Sequence, residues 1–172
     1  MIKNIPKKYW DSGLFICFLN DDEDERRKIC EDNFQHAKDG NLLIFTSYWT
    51  EVEVIRPRKK SLPFSEKLTP LQISRIQKMF EWEWIKKIQV DERVIKKAIE
   101  LSRDYGIHPT DAIHAASAIL SIPHGVDAIQ RWDRDFSKIV DLIKVEEPTF
   151  ITKQLSLISK PLVGPHPKDF EP

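Results

Sequence analysis

The chain has 172 residues, 41% of them hydrophobic, which is one domain's worth of chain with enough apolar content for a real core and too little length for a second full domain. Its 27 Lys and Arg balance 27 Asp and Glu, so the bulk protein exerts no general pull on nucleic acid, and any such contact must come from local patches. Two cysteines, one inside the apolar LFICFL, make a disulfide framework improbable and point to a reducing cytoplasm, while the opening MIKNIPKKYW lacks a signal-peptide core and no run approaches membrane-spanning length.

Short β-rich runs at 7–10, 41–46, 85–90 and 126–132 are separated by helical patterns. After the first run, Ser12 is positioned to cap a helix carrying LFICFL, which is apolar on nearly every side and therefore buried. DDEDERRKICEDNFQHAKDG follows, acids first and bases later as the helix dipole favours, with Ile29, Phe34 and Ala37 facing inward and Gly40 as the stop. NLLIFTS is a strand and a helix starts at Tyr48. RPRKKSLPFSEKL, with two prolines and a basic cluster, is a loop or surface excursion, and a helix spans about 69–82.

WIKKIQV is the next strand. DERVIKKAIELSRDYG is an amphipathic helix with Val94, Ile95, Ala98, Ile99 and Leu101 on or near one face and Gly106 at its end. HPTDAIHAASAIL makes a short helix whose small side chains allow close packing on the sheet. VDAIQRW, the turn DRDF, a short helix around 137–143 and an edge strand at KVEE complete the core. The proline-punctuated segment from Pro148 lacks a clear period and is an appended tail, so the division is a domain at 1–148 and a C-terminal extension at 149–172. Strands alternating with helices imply βαβ units and a parallel sheet, in which ligands bind beyond the carboxyl ends of the strands where the strand order switches.

Four acids sit where apolar runs stop: Asp11 after KKYW, Glu53 in TSYWTEVEV, Asp111 in HPTDAIHAASAI and Asp133 in AIQRWDRDF. Asp11 and Asp133 lie directly at strand ends, while Glu53 and Asp111 reach the same crevice from helices that begin nearby. Each acid has an ordinary alternative. Asp11 is suited to a strand end or helix cap, Asp111 to a dipole-favoured first turn and Asp133 to an Asx turn. Glu53 and Glu51 flank opposite edges of the apolar face made by Tyr48, Val52 and Ile55, and periodicity does not choose between them.

Taken together, these motifs resemble the PIN-domain nucleases, particularly the VapC-type toxins of bacterial toxin–antitoxin modules, over roughly residues 7–148. YWDSGLFICFL looks like the family's opening strand, acid, Ser or Thr and apolar helix. TSYWTEVEV resembles its second motif, whose acid falls on Glu53. VDERVIKKAIELSRDYGIHPTDAIHAASAI is similar to its long helix, short loop and acid followed by Ala, a large aliphatic and His, and gives Asp111. RWDRDF resembles the last motif, giving Asp133 with Asp135 as a neighbour. Two positions depart from the pattern: Arg131 stands where many members carry Thr or Ser, and Trp49 is bulkier than expected.

The resemblance implies a three-layer α/β/α sandwich around a central, mainly parallel sheet of four to five strands. It implies metal-dependent hydrolysis of RNA phosphodiester bonds, with Asp11, Asp111 and Asp133 holding Mg²⁺ or Mn²⁺ and Glu53 orienting the attacking water. Carboxylates crowded in one crevice favour such a hard cation over zinc. Ser12, Arg131 and Asp135 are accessory candidates. Arg131 is suited either to grip a phosphate or to fill part of the pocket. A small antitoxin and a second copy of the chain are the implied partners, and the tail is expected to pack across the dimer or in the partner groove.

His114 suits packing or an outer hydrogen bond better than general-base work, and His36, His108, His124 and His166 lack zinc-ligand spacing. Ser12 and Ser47 lack a nucleophile elbow and are explained by capping. RPRKK, with Lys7 and Lys8, is either an RNA track or a solvated face. The alternatives are a non-catalytic PIN-like interaction module in which Arg131 replaces a cation, and a phosphatase on a flavodoxin-like sheet. The second lacks a Gly-rich phosphate loop in a chain with 5 Gly.

Overall fold

The computed structural model describes residues 5–19, 25–55 and 68–151. Five strands form one all-parallel sheet: β1 (Lys7–Trp10), β2 (Leu43–Ser47), β3 (Ile85–Ile88), β4 (Ala128–Gln130) and β5 (Lys144–Glu146), in the order β3-β2-β1-β4-β5. The chain winds outward from β1 to β3, then returns to place β4 on the other side of β1. The strand order therefore switches between β1 and β4, held by the pairs Tyr9 with Ile129 and Trp10 with Gln130. β5 is an edge strand as KVEE suggests, parallel to β4 with Ile129 opposite Val145.

Side-chain alternation makes the three layers, because successive strand residues point to opposite faces. On one face, Tyr9, Phe45 and Ile129 pack against α5 (Glu92–Tyr105) and α6 (Pro109–Leu120) through Val94, Ala98, Leu101, Ala112, Ala115 and Ala116. On the other, Trp10, Ile44 and Ile85 meet α1 (Ser12–Leu19), α2 (Glu25–Lys38), α3 (Tyr48–Val54) and α4 (Pro70–Phe80) through Leu14, Phe15, Phe34, Val54, Met79 and Phe80. The α/β/α sandwich is thus present with five strands.

The helix ends follow local chemistry. Asp91 caps α5 by accepting from the amides of Arg93 and Val94, and Gly106 ends it in the left-handed region at φ 62°, which a residue with a Cβ disfavours. Pro109 opens α6 at a position whose missing N–H is no loss, and this fixes Asp111 in the first turn. α4 is shorter than its expected 69–82, starting with a Thr69–Gln72 capping box. The helix expected around 137–143 is a 3₁₀ helix at Asp135–Ile139, shifted toward the turn that precedes it.

Residues 149–151 sit on α2. Asn33 Nδ2 donates to the Thr149 carbonyl at 2.8 Å, Ile151 N donates to Asp32 Oδ2 at 2.7 Å, and the Ile151 side chain packs with the α1/α2 core. The rest of the tail and the RPRKK cluster lie outside the described residues. Lys7 and Lys8 have structural partners at the start of β1: Lys7 Nζ donates to the His124 carbonyl, and Lys8 pairs with Asp127 at 2.7 Å and Glu146 at 2.9 Å. No helix among the described residues is long and apolar enough to cross a membrane.

Candidate active site

Asp11 follows the last residue of β1, and its amide donates to the Gln130 carbonyl of β4, so the acid stands at the switch point itself. Its carboxylate folds back over the start of α1, where Oδ1 accepts from Leu14 N at 3.4 Å. Asp11 therefore takes the capping position expected of Ser12, which is instead the first residue of α1. Gly13 makes room for this, since a Cβ there would stand 3.2 Å from Asp11 Oδ1. Burial pushes the Asp11 carboxyl up to about 6, with Asp111 adding to the rise, against the opposing pull of His114 and the Leu14 and Gly13 amides.

Asp111 is half-buried. Burial raises its carboxyl above the usual carboxylate range, and repulsion from Asp133, with a smaller part from Asp135, adds to that rise while His114 and His108 oppose it. Asp133 is exposed, and its Oδ1 accepts from the Asp135 amide at 3.0 Å, the Asx-turn geometry.

Glu53 reaches the same crevice from α3. Its Oε2 lies 2.6 Å from His114 Nε2, and His114 Nδ1 lies 3.1 Å from the Tyr9 hydroxyl. Burial alone would raise the Glu53 carboxyl, but the hydrogen bond from His114 leads the pulls that hold it below the usual range. The Ser12 hydroxyl and the Trp49 indole add to that pull, although the buried indole N–H makes no full hydrogen bond. Glu51 instead pairs with Lys87 Nζ at 2.6 Å. Ser47 occupies the backbone capping position of α3 without a side-chain cap bond, so capping does not explain its hydroxyl.

A PIN-domain family model matches residues 8–142. The chain belongs to the PIN-domain family. No curated protein matches it significantly. Solved structures share the PIN fold at low identity. A toxin–antitoxin complex from Klebsiella pneumoniae superposes with a TM-score of 0.55 at 15% identity, covering 84% of this chain and 99% of that one. VapC20 of Mycobacterium tuberculosis, described as a sarcin-ricin loop cleaving toxin, gives 0.57 at 13% identity, with 81% and 98% covered. VapBC-1 of nontypeable Haemophilus influenzae gives 0.55 at 15% identity, with 82% and 97% covered.

In this PIN domain Asp111 is close enough to Asp11, Asp133 and Asp135 for repulsion between them to be felt, and Glu53 is joined to the group through His114. Among the described residues no three His, Cys, Asp or Glu are grouped closely enough to hold a metal as they stand. The donor chemistry nevertheless fits a hard divalent cation. The available atoms are carboxylate oxygens, and two of the carboxyls have proton affinity raised first by burial and then further by a neighbouring acid. Arg131 joins β5 through its amide, which donates to the Glu146 carbonyl, while its Nε and Nη1 are buried without a hydrogen-bond partner.

Two contributors escaped the sequence reading. Tyr9 reads as an ordinary strand aromatic, and only the fold shows its hydroxyl meeting a histidine from 105 positions away. Gly13 carried a usable signal, a glycine within the first turn of a helix immediately after an acid, where a capping carboxylate needs space.

Proposed function

We propose that this PIN domain is a metal-dependent endoribonuclease, and that it acts as a toxin held in check by an antitoxin. The observation that carries the reading is the buried Asp11 at the switch point, its carboxyl raised by burial and by Asp111. Asp11, Asp111 and Asp133 would hold Mg²⁺ or Mn²⁺, which when bound offsets the carboxylate charge and polarises the scissile phosphodiester.

The chain's own groups do the rest. Glu53 stays ionised beside His114 and so accepts a hydrogen bond from the attacking water and orients it toward phosphorus. Ser12, at the start of α1 and close to Glu53, helps set that carboxylate. Asp135 is carried by the same turn as Asp133, and its amide steadies the Asp133 carboxylate. Arg131, with buried unpaired donors next to this turn, supplies a positive group for the RNA phosphate.

The antitoxin partner, the homodimer and the cytoplasmic setting belong to the same proposal. The antitoxin partner draws support from a structural neighbour described as a toxin–antitoxin complex. The division into a domain at 1–148 and an extension at 149–172, with the extension contributing to the dimer or the partner groove, is likewise proposed.

The test is cleavage of a mixed RNA pool by purified protein with Mg²⁺, Mn²⁺ or EDTA, beside Asp11→Asn and Asp111→Asn. Metal-dependent cuts that disappear in both variants establish the nuclease. A second reading, a non-catalytic interaction module, is favoured by Arg131, whose guanidinium would replace the cation. It predicts no cleavage with any metal and no calorimetric binding of Mn²⁺.

A further inference from the structure

Tyr9, His114 and Glu53 form a hydrogen-bonded chain across three elements, β1, α6 and α3. His114 is 1% exposed and lies among Ala112, Ala115, Ala116 and Ala118, where an imidazole gains nothing from solvent. A buried ring with two polar atoms must have both satisfied. Here one partner is a phenol within the core, and the other is a carboxylate on the site side, with a quarter of its side chain or less exposed.

The chemistry of the partners orders the protons. A carboxylate only accepts, so His114 Nε2 carries hydrogen and donates to Glu53 Oε2. In the neutral ring Nδ1 is then an acceptor, and the Tyr9 hydroxyl fills it as donor. The chain also links the arms that bear the other acids. Tyr9 stands two residues before Asp11 at the end of β1, and Asp111 and His114 share one face of α6 by helical spacing. A histidine that only fills the core could satisfy its two nitrogens anywhere, whereas here one partner is a site carboxylate and the other stands two residues from Asp11.

We infer that Tyr9 and His114 are positioning residues for the proposed ribonuclease reaction: Tyr9 fixes the His114 tautomer, and His114 in turn fixes the Glu53 carboxylate against the attacking water. The inference rests on the nuclease reading for its consequence, while its geometry is a property of the metal-free chain.

The test combines nitrogen NMR of the imidazole in the metal-free protein with steady-state cleavage by wild type, Tyr9→Phe, His114→Gln and His114→Ala. The expected spectrum shows His114 protonated at Nε2 and bare at Nδ1, with the Nδ1 resonance moving in Tyr9→Phe. The expected kinetics are a fall in kcat of about 10- to 100-fold in His114→Ala at unchanged KM. His114→Gln, whose amide N–H reaches toward Glu53, recovers most of the loss, and Tyr9→Phe falls between. An Nδ1-protonated ring, an Nδ1 resonance indifferent to Tyr9→Phe, or a folded His114→Gln no better than His114→Ala overturns the inference. If wild type cuts no RNA, the nuclease reading fails by itself, and the spectra still decide the hydrogen-bond chain. If His114→Ala does not fold, the spectra and Tyr9→Phe kinetics decide it.

Discussion

Lys87 Nζ lies 2.6 Å from Glu51 Oε1 and 4.8 Å from the centre of the Tyr48 ring, so the first acid of α3 is tied to β3 while Glu53, two residues on, is tied to His114. Helical spacing turns these two carboxylates to different sides, and only one is joined to the crevice. Glu51→Ala is expected to leave cleavage at the wild-type rate and to cost less than about 1 kcal/mol, as for a partly exposed ion pair. Glu53→Gln is expected to lose nearly all cleavage with its fold intact. Equal losses in the two variants, measured side by side, would contradict this division of roles.

Asp11 gives the metal-free protein a pH signature. Its folded-state carboxyl lies near 6 against an ordinary 3.8, so the folded chain binds this proton more tightly than the unfolded chain. The resulting stabilisation is complete below the unfolded value and is lost as pH rises through the folded one. At neutral pH and above, the ionised group costs the metal-free fold up to about 3 kcal/mol. Asp11→Asn keeps an oxygen for the Leu14 amide and removes the charge. Without metal it should melt above wild type at about pH 8 and level with it at about pH 4. A variant that melts lower than wild type at both pH values would show that the carboxylate is stabilised by something other than a cation.

The same charge makes metal binding visible without any substrate. Mn²⁺ at roughly 100 times its Kd is expected to stabilise wild type by about 2.7 kcal/mol, read as a rise in melting temperature. Asp111→Asn should lose most of that rise, because it removes a proposed ligand and with it the Asp11–Asp111 repulsion that a cation would relieve. A rise of the same size in both proteins would place the ion elsewhere.

What the sequence disclosed divides along the range of the interactions. The β-rich runs and the period of 92–105 located the sheet and α5, because burial on one or both faces imposes those patterns locally. The acids Asp11, Asp111 and Asp133 were legible because they stop apolar runs at strand ends and helix starts. The choice of Glu53 over Glu51 came from the family resemblance, since both flank the same apolar face, and Lys87 and His114 come from distant segments. Tyr9 was illegible for the same reason. The cap of α1 was misread by one residue because Asp and Ser are both good cap residues, and Gly13, which gives the Asp11 carboxylate its space, has no periodicity to announce it.

Asn33 anchors residues 149–151 on α2. It is buried, and its amide donates to the carbonyls of Ile29 and Thr149, both at 2.8 Å. Asn33→Ala leaves the Thr149 carbonyl without that donor and should destabilise the fold by about 1–3 kcal/mol. It should also speed proteolysis beyond residue 148. Truncations meant to test the extension should therefore end after Ile151 rather than before it, since Ile151 N is held by Asp32. Unchanged melting and digestion in Asn33→Ala would mean that the other contacts, among them the Asp32 bond to Ile151 N and the Ile151 side chain, keep this segment in place.

Gly13→Ala sets two effects against each other. Alanine is the better helix former by up to about 1 kcal/mol, somewhat less in a first turn. Its Cβ, however, would stand 3.2 Å from Asp11 Oδ1, tighter than ordinary contact, and the carboxylate must shift by a few tenths of an ångström to admit it. The propensity term acts on the helix and the shift acts on a proposed ligand, so the two should separate experimentally. Gly13→Ala is expected to melt within a few degrees of wild type while binding Mn²⁺ more weakly and cutting RNA more slowly. Calorimetry on the folded variant decides the point. Wild-type Mn²⁺ affinity would mean that the Asp11 carboxylate has room to move without leaving the position from which it acts.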